Sequence, residues 1–406
     1  MDLPTFERLL TADGQAALTA AAKLHPTEET FLPCLTKLQK HFDTALAKAA
    51  LETVILRARA AAKFSRAGQM YFVREALEQA SGEIVSTYRA QRYAKFAHVA
   101  DLCCGLGGDA IGLAGVAGVT LVDKDPLRLA LAQTNLAAYG RAERARSIQL
   151  DLNTDPLPAA DALWLDPARR AGGQRKFSVR DYQPPFESVR QFLKPQPALG
   201  VKISPGVDLA ELSEALDDDH SSSYEVEFIS VHGGLKECVV WFGPLRTTAP
   251  RRATLLPGPH TLTASSVSIV SPLSLSLPRA FLYEPDPAIL RAGLVTTLAA
   301  QINAHQLDPD IAYLTSDTLT PTPFARAFGI DDAFPFQLKR LREYLRARRV
   351  GQVTVKKRGS PLEPEKLIHQ LRLSGSESRI IFLTHVNGQP YVLIGQPVFV
   401  RPSTSS

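Results

Sequence analysis

The stretch Val99-Ala-Asp-Leu-Cys-Cys-Gly-Leu-Gly-Gly-Asp109 constrains the fold of this chain more than any other. An apolar run ends at an acid, a glycine-rich turn comes next, and Ala110-Ile-Gly-Leu-Ala114 opens a helical pattern. A strand, a tight turn and a helix start in that order form a cradle for a nucleotide. The glycines admit a ligand without a Cβ clash, and the first helical N–H groups have no partner of their own. A lone glycine-rich loop is a weak signal, so the weight rests on the strands next to it in the chain. Gly118-Val-Thr-Leu-Val122 reads as the next strand and ends in Asp123; Ser147-Ile-Gln-Leu150 ends in Asp151; Asp161-Ala-Leu-Trp-Leu165 ends in Asp166-Pro-Ala-Arg-Arg170. Together with Asp101, these place an acid at the carboxyl end of four successive strands, where open parallel sheets bind ligands. An acid closing the second strand, as Asp123 does, is positioned to take both hydroxyls of a ribose; the competing role is a helix N-cap.

A dinucleotide site wants G-x-G-x-x-G, and here Cys103 stands in the first glycine's place before Gly105, Gly107 and Gly108. The acid-ended strand series closing in Asp-Pro instead resembles the class I S-adenosylmethionine-dependent methyltransferases. Within them, Asp101-Leu-Cys-Cys-Gly-Leu-Gly-Gly-Asp109 looks most like the trimethylguanosine synthase-type RNA methyltransferases, which share a Cys-Gly-x-Gly-Gly core. The likeness spans roughly residues 60 to 245. It implies a Rossmann-like α/β sheet with an antiparallel last strand, S-adenosyl-L-methionine as cofactor and RNA as partner. The chain departs from these relatives at the catalytic motif, where Asp166-Pro-Ala-Arg169 replaces an acid followed by Pro-Pro-Trp.

The length of 406 residues leads us to expect two or three domains, each with a core of its own. A hydrophobic content of 45% and a charged content of 21% are ordinary for a globular chain, and the net charge of +5 permits an anionic partner without requiring one. The four cysteines, Cys34, Cys103, Cys104 and Cys238, show no metal-ligand spacing, so we expect free thiols, no metal and a cytoplasmic location. No basic-then-apolar leader opens the sequence and no apolar run reaches membrane-spanning length, so no membrane is expected.

Residues 1–95 read as a helical region. Thr27-Glu-Glu-Thr30 is a start signal for a periodic stretch from Phe31 to Leu56, and a second helix runs from Met70 to about Ala80. In the relatives a helical extension covers the cofactor, which would bring Phe72 and Arg74 near it; the plainer reading is a core ring and a surface charge. Residues 96–245 are the cofactor-binding block, with a fifth strand at Leu199–Ile203, a helix at Asp208–Leu216 and a closing hairpin around His232-Gly-Gly234. Residues 246–280 form a proline- and serine-rich linker or hairpin, Arg252–Leu256 with His260–Thr263. Residues 281–406 are a smaller α+β domain: a helix from Pro287 to Leu298, a helix from Gln337 to Leu345, a strand, a helix from Pro364 to Arg372 and a hairpin around Asn387-Gly388. Phe281-Leu-Tyr-Glu-Pro-Asp-Pro287 and this order of elements resemble a THUMP-like domain, and THUMP domains proper bind RNA.

Methyl transfer is an in-line displacement, so orientation is the main lever. An exocyclic base amine is a poor nucleophile because its lone pair is delocalised. Asp166 can accept one of its N–H groups and the carbonyl of Pro167 the other, with proline fixing the local backbone. Arg169 stands where the relatives have a base-stacking aromatic, leaving Phe177 and Tyr182 as candidates for stacking or for loop packing. Asp101, Cys103, Gly105, Gly107 and Asp109 of the turn are expected cofactor contacts: Asp101 orients the turn or meets the cofactor's amino group, Asp109 caps the first helix and also faces the methionine end, and Asp151 contacts the adenine amine, with a plain turn role for Asp151 competing. Asp166-Pro-Ala-Arg-Arg-Ala-Gly172 also bears a faint likeness to uracil-C5 methyltransferases, whose cysteine nucleophile would fall on Cys238; a strand-interior cysteine is far more often core. Lys339, Arg340, Arg342, Arg346, Arg348, Arg349, Lys356, Lys357 and Arg358 form a basic run opposed only by Glu343, and Lys339, Arg342 and Arg346 are the expected phosphate contacts. The expected function is therefore methylation of a base amine in RNA. The competing reading is a non-catalytic RNA-binding or regulatory protein that retains the fold.

Overall fold

In the computed structural model, the structure describes residues 1–167, 182–184, 186, 188–216, 224–264 and 274–398, and within the intervening 168–181 only a strand pairing at 170–171 and 174–175. The chain divides into two compact units, Met1–Val226 with Glu237–Thr247, and Glu227–Lys236 with Thr248–Ser406; the division passes through one hairpin.

The first unit opens with helices α1 (Leu3–Leu10), α2 (Ala12–Lys23), α3 (Phe31–Leu38), α4 (Thr44–Ala60), α5 (Arg74–Gln79) and α6 (Glu83–Ala90). Thr27 and Thr30 bond each other's backbone N–H in the turn before α3, so the helix starts one turn later than the cap expected at Thr27, with Thr30 as its N-cap and no side-chain capping bond. The stretch read as one helix from Phe31 to Leu56 is two: Asp43 accepts from the N–H groups of Ala45 and Leu46 and starts α4 anew. Met70–Val73 is extended where a helix was expected. Asn135 accepts from the Tyr71 N–H at 2.7 Å and donates to the Tyr71 carbonyl at 2.9 Å, capturing both backbone groups that a helix would use.

The sheet of this unit alternates with helices: β1 (His98–Leu102), α7 (Gly108–Leu113), β2 (Gly118–Asp123), α8 (Pro126–Ala138), β3 (Ala145–Gln149), β4 (Ala162–Leu165), short β5 (Arg170–Ala171) and β6 (Gln174–Arg175), α9 (Ser188–Leu193), β7 (Leu199–Ile203), α10 (Leu209–Leu216), and the hairpin β8 (Tyr224–Val231) and β9 (Gly234–Phe242). Its strands lie in the order β9-β7-β4-β1-β2-β3, parallel except for β9, which runs antiparallel to β7. This is the Rossmann-like arrangement with an antiparallel last strand that the sequence pattern led us to expect. β1, β4 and β7 are buried nearly throughout, as central parallel strands are. The chain leaves β1 toward β2 and β3, then returns to β4 on the other side, so the topological switch lies between β1 and β4.

The second unit contains the hairpin β10 (Arg251–Leu256) and β11 (His260–Thr263), then β12 (Phe281–Pro285), α11 (Pro287–Arg291), α12 (Val295–Gln301), β13 (His305–Asp308), β14 (Ile311–Ser316), β15 (Ala325–Pro335), α13 (Leu338–Ala347), β16 (Val350–Lys357), α14 (Pro364–Leu371), β17 (Glu377–Val386) and β18 (Gln389–Pro397). A seven-stranded sheet runs β13-β14-β12-β15-β18-β17-β16. Leu341, Leu345, Leu367 and Leu371 of α13 and α14 pack with Ile381, Val392 and Ile394 of the sheet in one core cluster. The helix expected from Pro287 to Leu298 is broken into α11 and α12 at Gly293, whose φ is +68°.

Candidate active site

The site is built at the carboxyl ends of β4, β1, β2 and β3. In the turn after β1, Cys103, Gly105 and Gly107 all have positive φ. A Cβ added at Gly105 would meet nothing nearer than the Cys103 carbonyl at 4.0 Å, so the backbone there faces open space. At Gly107 the requirement is different: an added Cβ would lie 3.0 Å from Ala132, so this glycine lets the turn lie against α8. Asp123 closes β2 and accepts from the N–H of Gly105 at 3.1 Å and of Asp125 at 3.0 Å, one on each carboxylate oxygen. Each oxygen therefore retains a lone pair for a hydroxyl donor. Burial raises the Asp123 pKa, against the pull of these backbone N–H groups.

Asp101 is wholly buried, and neither of its carboxylate oxygens has a hydrogen-bond partner among the described residues. Burial, and then the carboxylates of Asp109 and Asp166, push its pKa well above the usual range. Asp109, in the first turn of α7, is also buried, but the charges of Arg89 and Lys202 outweigh burial and hold its pKa low. Asp166 comes directly after β4; its N–H donates to the Leu102 carbonyl, and its carboxylate accepts from Lys202 Nζ at 2.6 Å. Pro167 beside it is buried. Asp151 lies past β3, next to the end of β2, since the Leu150 N–H donates to the Asp123 carbonyl. Its Oδ1 accepts from the backbone and side-chain nitrogens of Asn153 in a turn, while Oδ2 has no partner among the described residues. Asp101, Cys103, Gly105, Gly107, Asp109, Asp123, Asp151 and Asp166 thus share one rim of the sheet.

Other expected residues lie elsewhere. Tyr182 is 1% exposed and its hydroxyl accepts from the Ser204 N–H, so the ring is packed in the core and presents no face for base stacking. Arg169 and Phe177 fall outside the described residues. Phe72 is core, and Arg74 pairs with Glu28 at the surface. Cys238 is fully buried within β9, as a core residue would be. In the other unit, Lys339 and Arg346 are exposed on α13, whereas Arg342 is half-buried and donates to the Gln370 carbonyl.

Reading the sequence alone missed Arg89, Glu237 and Lys202. Arg89 of α6 is 3% exposed; it pairs with Asp109 and Glu237 and lies 4.1 Å over the Trp164 ring. Burial opposes its charge, but Asp109 and Glu237 more than offset this and raise its pKa. Glu237 of β9 has its pKa raised by burial against Arg89 and Lys202. Four buried or half-buried acids therefore surround two cations. These residues come from helices and strands far apart in sequence, so no local motif could reveal them. Such an acid-rich cluster, with a carboxylate at Asp101 that has no partner among the described residues and an open backbone at Gly105, suits a ligand that carries positive charge and a ribose.

Among the described residues no helix is long and apolar enough to cross a membrane, and no cluster of His, Cys, Asp or Glu could hold a metal ion. Residues 96–192 match the RNA cap guanine-N2 methyltransferase family, residues 325–397 a THUMP domain-like family, and residues 2–60 a domain of unknown function. A crystal structure of a Porphyromonas gingivalis W83 protein assigned as a methyltransferase has the same fold, with a TM-score of 0.72, 22% identity, and coverage of 92% of this chain and 100% of that one. Two uncharacterized S-adenosylmethionine-dependent methyltransferases of Mycobacterium tuberculosis, from strains CDC 1551 and H37Rv, are each 33% identical over 349 residues, which is 83% of this chain and 92% of the relative. On that identity and coverage, with an acid-lined rim that suits the cofactor, the chain belongs to the S-adenosylmethionine-dependent methyltransferases.

Proposed function

We propose that the enzyme methylates an exocyclic amine of a base in RNA. The observation that carries this reading is Asp166-Pro167 at the end of β4: Asp166 Oδ2 is held by Lys202, and Oδ1 has no partner among the described residues. The match to an RNA cap guanine-N2 methyltransferase family over 96–192 and to a THUMP domain-like family over 325–397 supports an RNA substrate. When bound, S-adenosylmethionine supplies an electrophilic methyl group on a sulfonium. Asp123 would hold its ribose hydroxyls, Asp151 Oδ2 its adenine amine, and Asp101 the cationic methionine end, with the backbone at Cys103, Gly105 and Gly107 giving room. Asp109 serves this end through Arg89, which it already engages.

The protein's own task is to make the amine nucleophilic. Asp166 Oδ1 accepts one N–H and the Pro167 carbonyl the other, which localises the nitrogen lone pair. The Asp166 carboxylate then balances the positive charge that develops on nitrogen as it gains the methyl group, until the excess proton on nitrogen passes to solvent water.

Asp166→Ala is expected to abolish methyl transfer to RNA while leaving cofactor affinity nearly unchanged. Asp166→Asn is expected to be milder, because an amide oxygen still accepts. Cys238→Ala is expected to keep activity. The assay is labelled-methyl transfer to total RNA from a strain lacking the gene. A folded, cofactor-binding but inactive Cys238→Ala protein would replace the amine reading with attack by a thiolate.

A further inference from the structure

Lys202 lies in β7 with 4% of its side chain exposed, while the Asp166 side chain keeps 20%. Its ammonium donates to Asp166 Oδ2 at 2.6 Å and to the Gln79 carbonyl at 3.2 Å. A cation buried this deeply is rarely present for stability, since an apolar side chain of similar volume would fill the strand position at less cost. Anchoring the end of α5 does not account for it either. Lys63 already donates to the carbonyls of Leu77, Glu78 and Ala80 there, at 2.7, 3.2 and 3.0 Å. The shorter and charged contact of Lys202 is the one to Asp166.

We propose that Lys202 is a positioning residue for methyl transfer, resting on the proposed amine chemistry. By holding Oδ2 it fixes the plane of the Asp166 carboxylate and leaves Oδ1 as the single oxygen offered to the substrate. The pair also sets the class of atom accepted. A carboxylate oxygen whose partner oxygen is already engaged accepts, and with the Pro167 carbonyl accepting beside it the pair suits an atom that bears two hydrogens, as an exocyclic amine does and a hydroxyl does not. A carbonyl oxygen or a hydrogen-free ring nitrogen presents nothing for it to bind. The aminated edges of adenine, cytosine and guanine meet this demand, and uracil with its two carbonyls flanking a lone N–H meets it poorly.

The test compares the full-length parent with Lys202→Met and Lys202→Gln, each also in an Asp166→Asn background, using labelled S-adenosylmethionine and total RNA from a strain lacking the gene. Turnover is expected to fall about a hundredfold in Lys202→Met, the scale of a misplaced catalytic group. It should fall less in Lys202→Gln, whose amide can still donate to Oδ2. The KM for RNA and the affinity for cofactor, measured by calorimetry, should stay near the parent values. In the Asp166→Asn background Lys202→Met should cost little more, because there is no longer a carboxylate to hold. A structural role for Lys202 predicts instead that melting temperature, KM and turnover fall together, and by the same factor in both backgrounds; that result, or full turnover in Lys202→Met and Lys202→Gln, overturns the proposal. A parent that labels no RNA amine overturns the amine reading itself, and this proposal with it. An active parent with active Lys202 variants removes only the positioning role.

Discussion

At the scale of single residues, the site is a row of acids with different duties set by their surroundings. Asp123 keeps a lone pair on each oxygen, and a carboxylate bonded to two hydroxyls is a charge-assisted pair. Asp123→Ala is therefore expected to weaken S-adenosylmethionine binding by at least about 1.5 kcal/mol, roughly tenfold, in a calorimetric titration. Asp101 behaves differently. Its raised pKa keeps it protonated above the pH at which an exposed aspartate ionises, near 4. A cation docked beside it favours the ionised form, so binding should release a proton. Cofactor affinity should then rise with pH from about 4 toward the raised value and level off above it. Titration in two buffers of different ionisation enthalpy reads that proton directly, and zero release over this range would take Asp101 out of contact with the cation. The acids were legible in the sequence because each ends a strand, and strand ends announce themselves through hydrophobic runs. Arg89, Glu237 and Lys202 were not, because each is a charge inside an element whose pattern gives no sign of a partner. Tyr182 shows the converse limit: a loop aromatic beside a catalytic motif reads as a stacking platform, and only the Ser204 N–H contact reveals it as core.

At the scale of elements, local signals predicted type well and boundaries less well. The strands of the first unit sit within a few residues of where the apolar runs place them, since β1, β4 and β7 are buried on both faces and tolerate little else. The helical N-terminal region was harder. Alanine-rich periodicity continues across Asp43, so the cap that restarts α4 is hidden inside a pattern that looks unbroken. Met70–Val73 carries a helical pattern, yet the Asn135 side chain takes its backbone groups and the Leu106 carbonyl as well, joining this segment to the glycine turn. Tertiary hydrogen bonding overrides propensity there. That turn is also the most substitution-sensitive point of the unit. Gly107→Ala combines a φ of +84° with a Cβ 3.0 Å from Ala132, so it should destabilise the fold by about 1–3 kcal/mol in urea unfolding. Gly68→Ala, with no atom within 4 Å of the new Cβ, is the matched control and should change stability little. Equal midpoints for the two variants would mean that the turn relaxes freely.

At the scale of the molecule, the chain combines a methyltransferase unit with a second α+β unit that matches a THUMP domain-like family. The basic run of that second unit is partly committed. Lys356 pairs with Glu284, Lys357 with Glu363, and Arg340 and Arg348 lie over the rings of Phe334 and Tyr344. Lys339, Arg346 and Arg349 are exposed and form no ion pair among the described residues. Reversing these three to glutamate should flatten the slope of log K against log salt for RNA by roughly 0.7–0.9 for each phosphate no longer neutralised, with cofactor binding intact. Equal slopes would make the run a solvated face. The central claim, transfer of a methyl group to an RNA base amine, is tested most directly by nucleoside mass spectrometry. Total RNA from a strain lacking the gene is incubated with the parent protein and isotopically labelled S-adenosylmethionine, then digested. The account predicts one labelled nucleoside methylated on its exocyclic nitrogen, absent when Asp166→Ala replaces the parent. Label on a ring carbon or a ribose oxygen, or no label in RNA from an enzyme that binds the cofactor, would contradict it.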